Sequence, residues 1–228
     1  MAAPDEDDAP TPASATHARL LSFVSHELRT PVTVAVGTLS MLEAGRFDPL
    51  PPAQLHVVEM AMRAVAGVKA IADDMGLVAR VARGEWPLLR SAVAISDIIA
   101  DIAHALQEGN PALAVDIPSD ASSAPVVVDR ASLVRAGVAL ARFALREAAS
   151  DALAFRIADT RDHRWLVVSA PGAVAAPLTC DAPDVDPSTS GNGFALHAAT
   201  TLLGLHGLRA IHLASEPGRT AVGIAFPR

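Results

Sequence analysis

Two long stretches of helical periodicity, separated by a proline-bearing turn, limit what this chain can fold into. From about Ala15 to Gly45, Leu21, Leu28, Ala35 and Leu42 recur every seven residues, with Val24 offset between them as in a bundle seam. Across Arg46 to Pro51, the pairs Asp48-Pro49 and Pro51-Pro52 forbid a continuing helix. Pro52 suits the first turn of the next one. That second helix should run to about Arg83, with Leu55, Val58, Met62, Val65, Ala72, Met75 and Ala79 on its apolar face and Gly84 as its stop. Two long helices and a short loop make an antiparallel hairpin, and one hairpin cannot bury both apolar faces. Pairing of two copies into a four-helix bundle is therefore expected. The alternative is a hairpin packed only on the rest of its own chain.

Within the first helix stands Ser25-His26-Glu27-Leu28-Arg29-Thr30-Pro31. His26 and Thr30, four apart, share one helical face. Pro31 has no N–H, so the Glu27 carbonyl loses its helical partner, and the helix should loosen or bend there. Histidine is the side chain that is readily neutral near physiological pH, leaving a ring nitrogen free to attack phosphorus. A carboxylate on the other nitrogen would fix the tautomer and support the charge that develops. A solvated His-Glu pair beside an incidental proline is the plain alternative. The seven-residue string resembles the H-box of bacterial two-component histidine kinases, which marks the first helix of a dimerisation and phosphotransfer hairpin. The resemblance implies that His26 is the phosphoryl acceptor and that Glu27 orients or deprotonates it. It implies that Thr30 completes the E-x-x-T pattern used to remove phosphate from a response regulator, with Arg29 and Pro31 as structural members of the site.

The second half of the chain alternates short strands with helices. Strands are expected at Leu88 to Ile95, Leu113 to Ile117, Val126 to Val128, Leu153 to Ala158 and Trp165 to Ser169. Helices should begin at Ser96 (as a cap), Arg130 and Phe194, and a hairpin should close the chain around Glu216-Pro217-Gly218. This order predicts an α/β sandwich with helices on one face of a mixed sheet. It resembles the ATP-binding domain of the same kinases. Gly191-Asn192-Gly193-Phe194-Ala195-Leu196 is similar to the G-x-G-L-G-L box, and Leu205-His206-Gly207 and Ser215 to Thr220 are similar to the closing segment. The departures fall on the ligand positions. Ala139 and Phe143 stand where that family places asparagines for magnesium and phosphate, and Leu133 to Leu145 contains no asparagine. Phenylalanine cannot ligate a hard cation, which requires oxygen. In Ser169-Ala170-Pro171-Gly172-Ala173, Ala170 replaces the aspartate that would bond adenine, and Val174 replaces the second glycine. The segment before Gly191 is short and proline-rich, unlike a mobile lid. Gly172, Gly191 and Gly193 are thus expected to be vestigial nucleotide-binding positions, with ATP binding weak or absent and no tightly bound cofactor.

Composition excludes several other classes. Hydrophobic residues make up 51%, ample for a core, but aromatics are 4% with no tyrosine, and the net charge is -7. That balance gives no platform for nucleic acid. Cys180 is the sole cysteine, so no intrachain disulfide or cysteine-rich zinc site is possible. It lies among prolines and acids with no basic neighbour in sequence, and is expected to be inert. The eight histidines are scattered, no metal site is expected, and no G-x-S-x-G elbow supports hydrolase chemistry. Residues 1-15 read as a disordered acidic tail without a signal pattern, and no apolar run is long enough to span a bilayer, so the chain is expected to be cytoplasmic.

The expected organisation is a tail (1-15), a phosphotransfer hairpin (16-84) and a degenerate ATP-binding-like sandwich (85-228). An intact phosphoacceptor box beside a ruined nucleotide site implies a dimeric histidine phosphotransferase. It would move phosphoryl groups between response-regulator receiver aspartates through His26, with magnesium supplied by the receiver and no ATP. The alternatives are a divergent active histidine kinase, a response-regulator phosphatase using Thr30, and a non-catalytic regulator-binding module.

Overall fold

The computed structural model describes residues 12-118, 125-170, 178-187, 193-216 and 219-228. The chain divides into two compact units between Trp86 and Pro87.

The first unit is the hairpin of α1 (Pro12–Glu43) and α2 (Pro52–Ala82). Gly45 takes φ +62 in the turn, and Gly84 takes φ +68 just beyond α2, where its N–H and that of Glu85 satisfy the last-turn carbonyls of Val81 and Arg80. The buried seam of α1 is Ala18, Ser25 and Val32, at seven-residue spacing, against Val58, Ala72, Leu77 and Ala79 of α2. Small residues on the seam let the two backbones approach closely. Leu21, Leu28, Ala35 and Leu42 flank it and are half-buried. Val24, expected inward, is 38% exposed, as are Leu20, Phe23, Val34 and Met41 to a greater extent. The period is right, but two apolar stripes share it, and spacing alone does not tell which one faces α2. Nor does Pro31 interrupt α1. One missing N–H removes a single hydrogen bond, and the neighbouring Val32 is buried, so packing carries the helix on past the expected weak point.

The second unit begins with β1 (Arg90–Ala94) and α3 (Ile95–Gly109), then β2 (Ala114–Asp116), β3 (Pro125–Asp129) and α4 (Arg130–Glu147). It continues through β4 (Ala152–Asp159), β5 (His163–Ser169), α5 (Gly193–Gly204), β6 (Ala210–Glu216) and β7 (Arg219–Pro227). Five strands form one sheet in the order β2-β4-β5-β7-β6. β2 lies parallel to β4 and the other pairs are antiparallel, which makes the mixed sheet that was expected. β1 and β3 stand apart as an antiparallel ribbon, Arg90 opposite Asp129 and Ala94 opposite Pro125.

Strand alternation gives this sheet two apolar faces. Leu166, Val168, Val222 and Ile224 lie towards the helices, where Ile98, Ile99, Ile102, Leu133, Leu140 and Leu202 are all buried. Gly137 of α4 has no side chain because Ile102 fills the space: a Cβ there would overlap Ile102 Cδ1 and sit 3.0 Å from Cγ1. On the other face, Trp165, Val167, Ile211, Leu213, Ala221 and Ala225 form a cluster closed by Leu178, Cys180 and Ala182. The strap carrying these three is pinned to the edge strand β6: the Val185 N–H reaches the Ala210 carbonyl (2.8 Å), and the His212 N–H reaches the Pro183 carbonyl (2.9 Å).

Ser96 does not cap α3. Ala94 is the cap residue and makes no side-chain cap bond, so Ser96 falls inside the first turn. The β1 strand feeds the helix directly, and Ile95, Ile98, Ile99 and Ile102 set its start by burial instead. The cap at α4 is stronger. Asp129, 6% exposed, accepts the N–H groups of Ser132 and Leu89, each at 2.8 Å. Burial alone would raise its pKa, but these donors outweigh it and hold the carboxyl below its usual range. Stability from this ionised cap is therefore complete above the unfolded carboxylate's pKa of about 3.9 and is lost as pH falls through the lower folded value. Asp129→Ala should cost about 1–2 kcal/mol in urea unfolding at pH 7. Asp129→Asn should keep part of the cap and flatten this acid dependence.

Candidate functional site

His26 sits on α1 with its side chain 78% exposed, and its Nδ1 is 3.7 Å from Glu27 Oε1. At that separation the carboxylate orients the ring electrostatically or through one water. Thr30 is exposed one turn further along the same face. The four candidate residues His26, Glu27, Arg29 and Thr30 lie within one stretch of α1, with Pro31 immediately after them.

The second helix contributes residues that the sequence reading missed. Ser25, 2% exposed, is buried against Gly76 of α2, where an added Cβ would meet Ser25 Oγ at 2.8 Å and Arg29 Nη2 at 3.8 Å. Asp73, one turn before Gly76, shares its carboxylate between two cations. Lys69 Nζ donates to Oδ2 at 2.8 Å, and Arg29 Nη2 donates to Oδ1 at 3.4 Å. Partial burial would raise the Asp73 pKa, but the Lys69 and Arg29 contacts outweigh it and the net shift is downward. The Lys69-Asp73 spacing of four was a visible helical ion pair. The contact of Asp73 with Arg29 depends on hairpin register, which local pattern does not give.

In the second unit, Phe143 is 4% exposed and presents an edge-on contact to His212, ring centroids 6.0 Å apart. Ala139 is half-buried one turn earlier. Ala170 is 2% exposed, and its N–H donates to the Thr220 carbonyl at 3.1 Å. None of these three side chains offers oxygen to a cation or to adenine. Gly172 and Gly191 lie outside the described residues, and Gly193 opens α5. His206, in the turn after α5, has both ring nitrogens buried without a hydrogen-bond partner. Burial lowers its pKa, the Arg90 cation adds to this, and Asp129 opposes it.

Cys180 corrects the sequence reading in one respect. It has an imidazole neighbour in space: its Sγ lies 3.8 Å from His163 Nε2 and 3.9 Å from Nδ1. β5 brings that side chain to the strap, so sequence distance misleads here.

Residues 16–84 match the His Kinase A (phospho-acceptor) domain family. The search of curated proteins gives no match. Among solved structures, the chain is similar to the Acinetobacter baumannii histidine kinase AdeS, with 17% identity, 89% of this chain and 97% of that one covered, and a TM-score of 0.57. It is similar to full-length ShkA in complex with AMPPNP, with 17% identity, 91% and 45% coverage, and a TM-score of 0.63. It is also similar to histidine kinase ThkA in complex with response regulator protein TrrA, with 13% identity, 92% and 61% coverage, and a TM-score of 0.54. At these identities the likeness is one of fold: a helical hairpin followed by an α/β domain of the histidine-kinase ATP-binding type. No helix among the described residues is long and apolar enough to cross a membrane.

Proposed function

We propose that this chain, whose residues 16–84 match the His Kinase A (phospho-acceptor) domain family, is a histidine phosphotransferase that carries phosphoryl groups between receiver aspartates on His26, without ATP. The observation that carries this reading is the pairing of an exposed, acid-flanked His26 with a second unit whose ligand positions are filled by Ala139, Phe143 and Ala170. Phosphoryl transfer from ATP is mostly positioning and charge neutralisation by metal and polar groups. Among the described residues, the buried Phe143 of α4, Ala139 and Ala170 bring no oxygen ligand, which supports weak or absent binding of a magnesium nucleotide.

The step balances simply. His26 Nε2 attacks the phosphorus of an aspartyl phosphate, the N–P bond forms as the P–O bond breaks, and the electron pair returns to the receiver carboxylate. The surplus ring proton at Nδ1 passes towards Glu27 or water. Transfer to a second receiver runs the same step backwards. A response regulator as partner is supported by the likeness to ThkA, which is seen with TrrA. The test is radiolabel. Mixed with labelled ATP and magnesium the chain should stay unlabelled, and mixed with a labelled phospho-receiver it should gain acid-labile label. Robust labelling from ATP would make it a divergent kinase instead. Thr30, exposed on the His26 face, favours a second reading as a receiver phosphatase; it requires label lost from the receiver to appear as inorganic phosphate and never on this chain.

The active form is a homodimer in this reading. Leu20, Val24, Val34 and Met41 on α1, with Val57, Met60, Val68 and Ile71 on α2, form exposed apolar stripes at helical spacing. A second copy would complete a four-helix bundle over them. Light scattering should give twice the chain mass. Val34→Asp, on the exposed stripe, should lower it, while Ser40→Asp, exposed on the far side of α1 from the stripe, should not.

A further inference from the structure

Asp73 holds its two cations unequally. Lys69 occupies Oδ2 at 2.8 Å, and Arg29 reaches Oδ1 at 3.4 Å through Nη2 alone. Arginine and carboxylate prefer two short parallel bonds, and Lys69 has already taken one oxygen. The Arg29 side chain is 53% exposed, so this long, single contact is a weak tether. Arg29 lies three residues from His26 and so on the same side of the helix, within reach of a group carried by that ring. Beneath it, Gly76 leaves α2 bare: a Cβ there would lie 3.8 Å from the guanidinium and 2.8 Å from Ser25 Oγ. A weakly tethered, half-exposed cation thus stands about one turn from His26, over a position of α2 that carries no side chain.

We propose that Arg29 binds the phosphoryl group on His26, and that Asp73 is the positioning residue that holds Arg29 aside until that group arrives. A phosphoryl group carries up to two negative charges and three acceptor oxygens, against half of one carboxylate at Asp73. The guanidinium would leave Asp73 for the stronger partner, and Lys69 would remain to neutralise the aspartate. On transfer out, Arg29 would return to Asp73. This inference rests on phosphorylation of His26.

The experiment separates the two claims by using phosphoramidate, a small donor whose N–P bond breaks with loss of ammonia. It needs neither a receiver nor ATP. The full chain is phosphorylated with it, and the phosphohistidine is titrated by 31P NMR. A neighbouring cation favours the dianion, so Arg29→Gln should raise the proton affinity of the phosphoryl group about three- to tenfold. Arg29→Lys, which keeps a point charge, should stay within about twofold of wild type. Asp73→Asn should lower the proton affinity in the wild-type background by freeing Arg29, and should do much less in the Arg29→Gln background. An Arg29→Gln titration that matches wild type would overturn the role of Arg29. An Asp73→Asn effect of equal size in both backgrounds would overturn the role of Asp73. Equal phosphorylation of a His26→Ala chain would sink the phosphoacceptor reading itself, which is a different outcome from either.

Discussion

A His26→Gln chain should take no acid-labile label from a phosphorylated receiver, a loss beyond about a thousandfold, while its unfolding curve stays within about 0.5 kcal/mol of wild type. The stability claim follows from exposure: with 78% of the side chain in water, little packing is lost. The activity claim follows because glutamine has no nucleophilic ring nitrogen. Glu27→Gln should be milder, about a hundredfold slower, since it removes a charge that orients the ring and takes up its proton but leaves the nucleophile in place. Thr30→Ala should leave acceptance intact. Uptake of label by the His26→Gln chain at the wild-type rate would move the acceptor elsewhere on the molecule.

Gly137→Val should be among the most damaging single changes in the second unit, about 3 kcal/mol in urea unfolding. The helix interior normally gains when glycine is replaced. Here the new Cβ would overlap Ile102, which is 0% exposed on α3 and has nowhere to go. The companion test is Ile102→Ala, which opens a cavity and costs about 2–5 kcal/mol by itself. Because the two side chains compete for one space, the double change Ile102→Ala/Gly137→Ala should be more stable than Ile102→Ala alone. Strictly additive costs would mean that α3 and α4 do not meet at this point.

Elements of strong period were legible in the sequence. Both hairpin helices, the turn around Pro49 and the glycine stop at Gly84 come out within a few residues of the expected places, as do most strands of the second unit. These features are local: proline and glycine act on their own backbone, and period follows from the spacing of side chains on one helix. What needs a second segment was not legible. The inward face of α1 falls on Ala18, Ser25 and Val32 and leaves Val24 outside. The separate β1-β3 ribbon, the reach of Arg29 to Asp73 and the approach of His163 to Cys180 all depend on register or on sheet order. At the site, His26, Glu27 and Thr30 were readable because a single helix presents them. Asp73 and Gly76 were not, because they act only through α2.

The order of strands in the sheet bears on how the chain reaches this state. β5 lies between β4, its neighbour in sequence, and β7, with Ser169 paired to Ala221 about fifty residues later. The centre of the sheet therefore waits for residues made about fifty positions later, whereas the hairpin needs only a short turn and contacts between consecutive helices. Folding speed falls as contacts become less local. The helical unit should form first, in the microsecond to millisecond range, and during synthesis it should be in place before β7 has left the ribosome. Until then β5 has an open edge of Trp165, Leu166, Val167 and Val168, and this is the segment through which a slowed or truncated chain would aggregate.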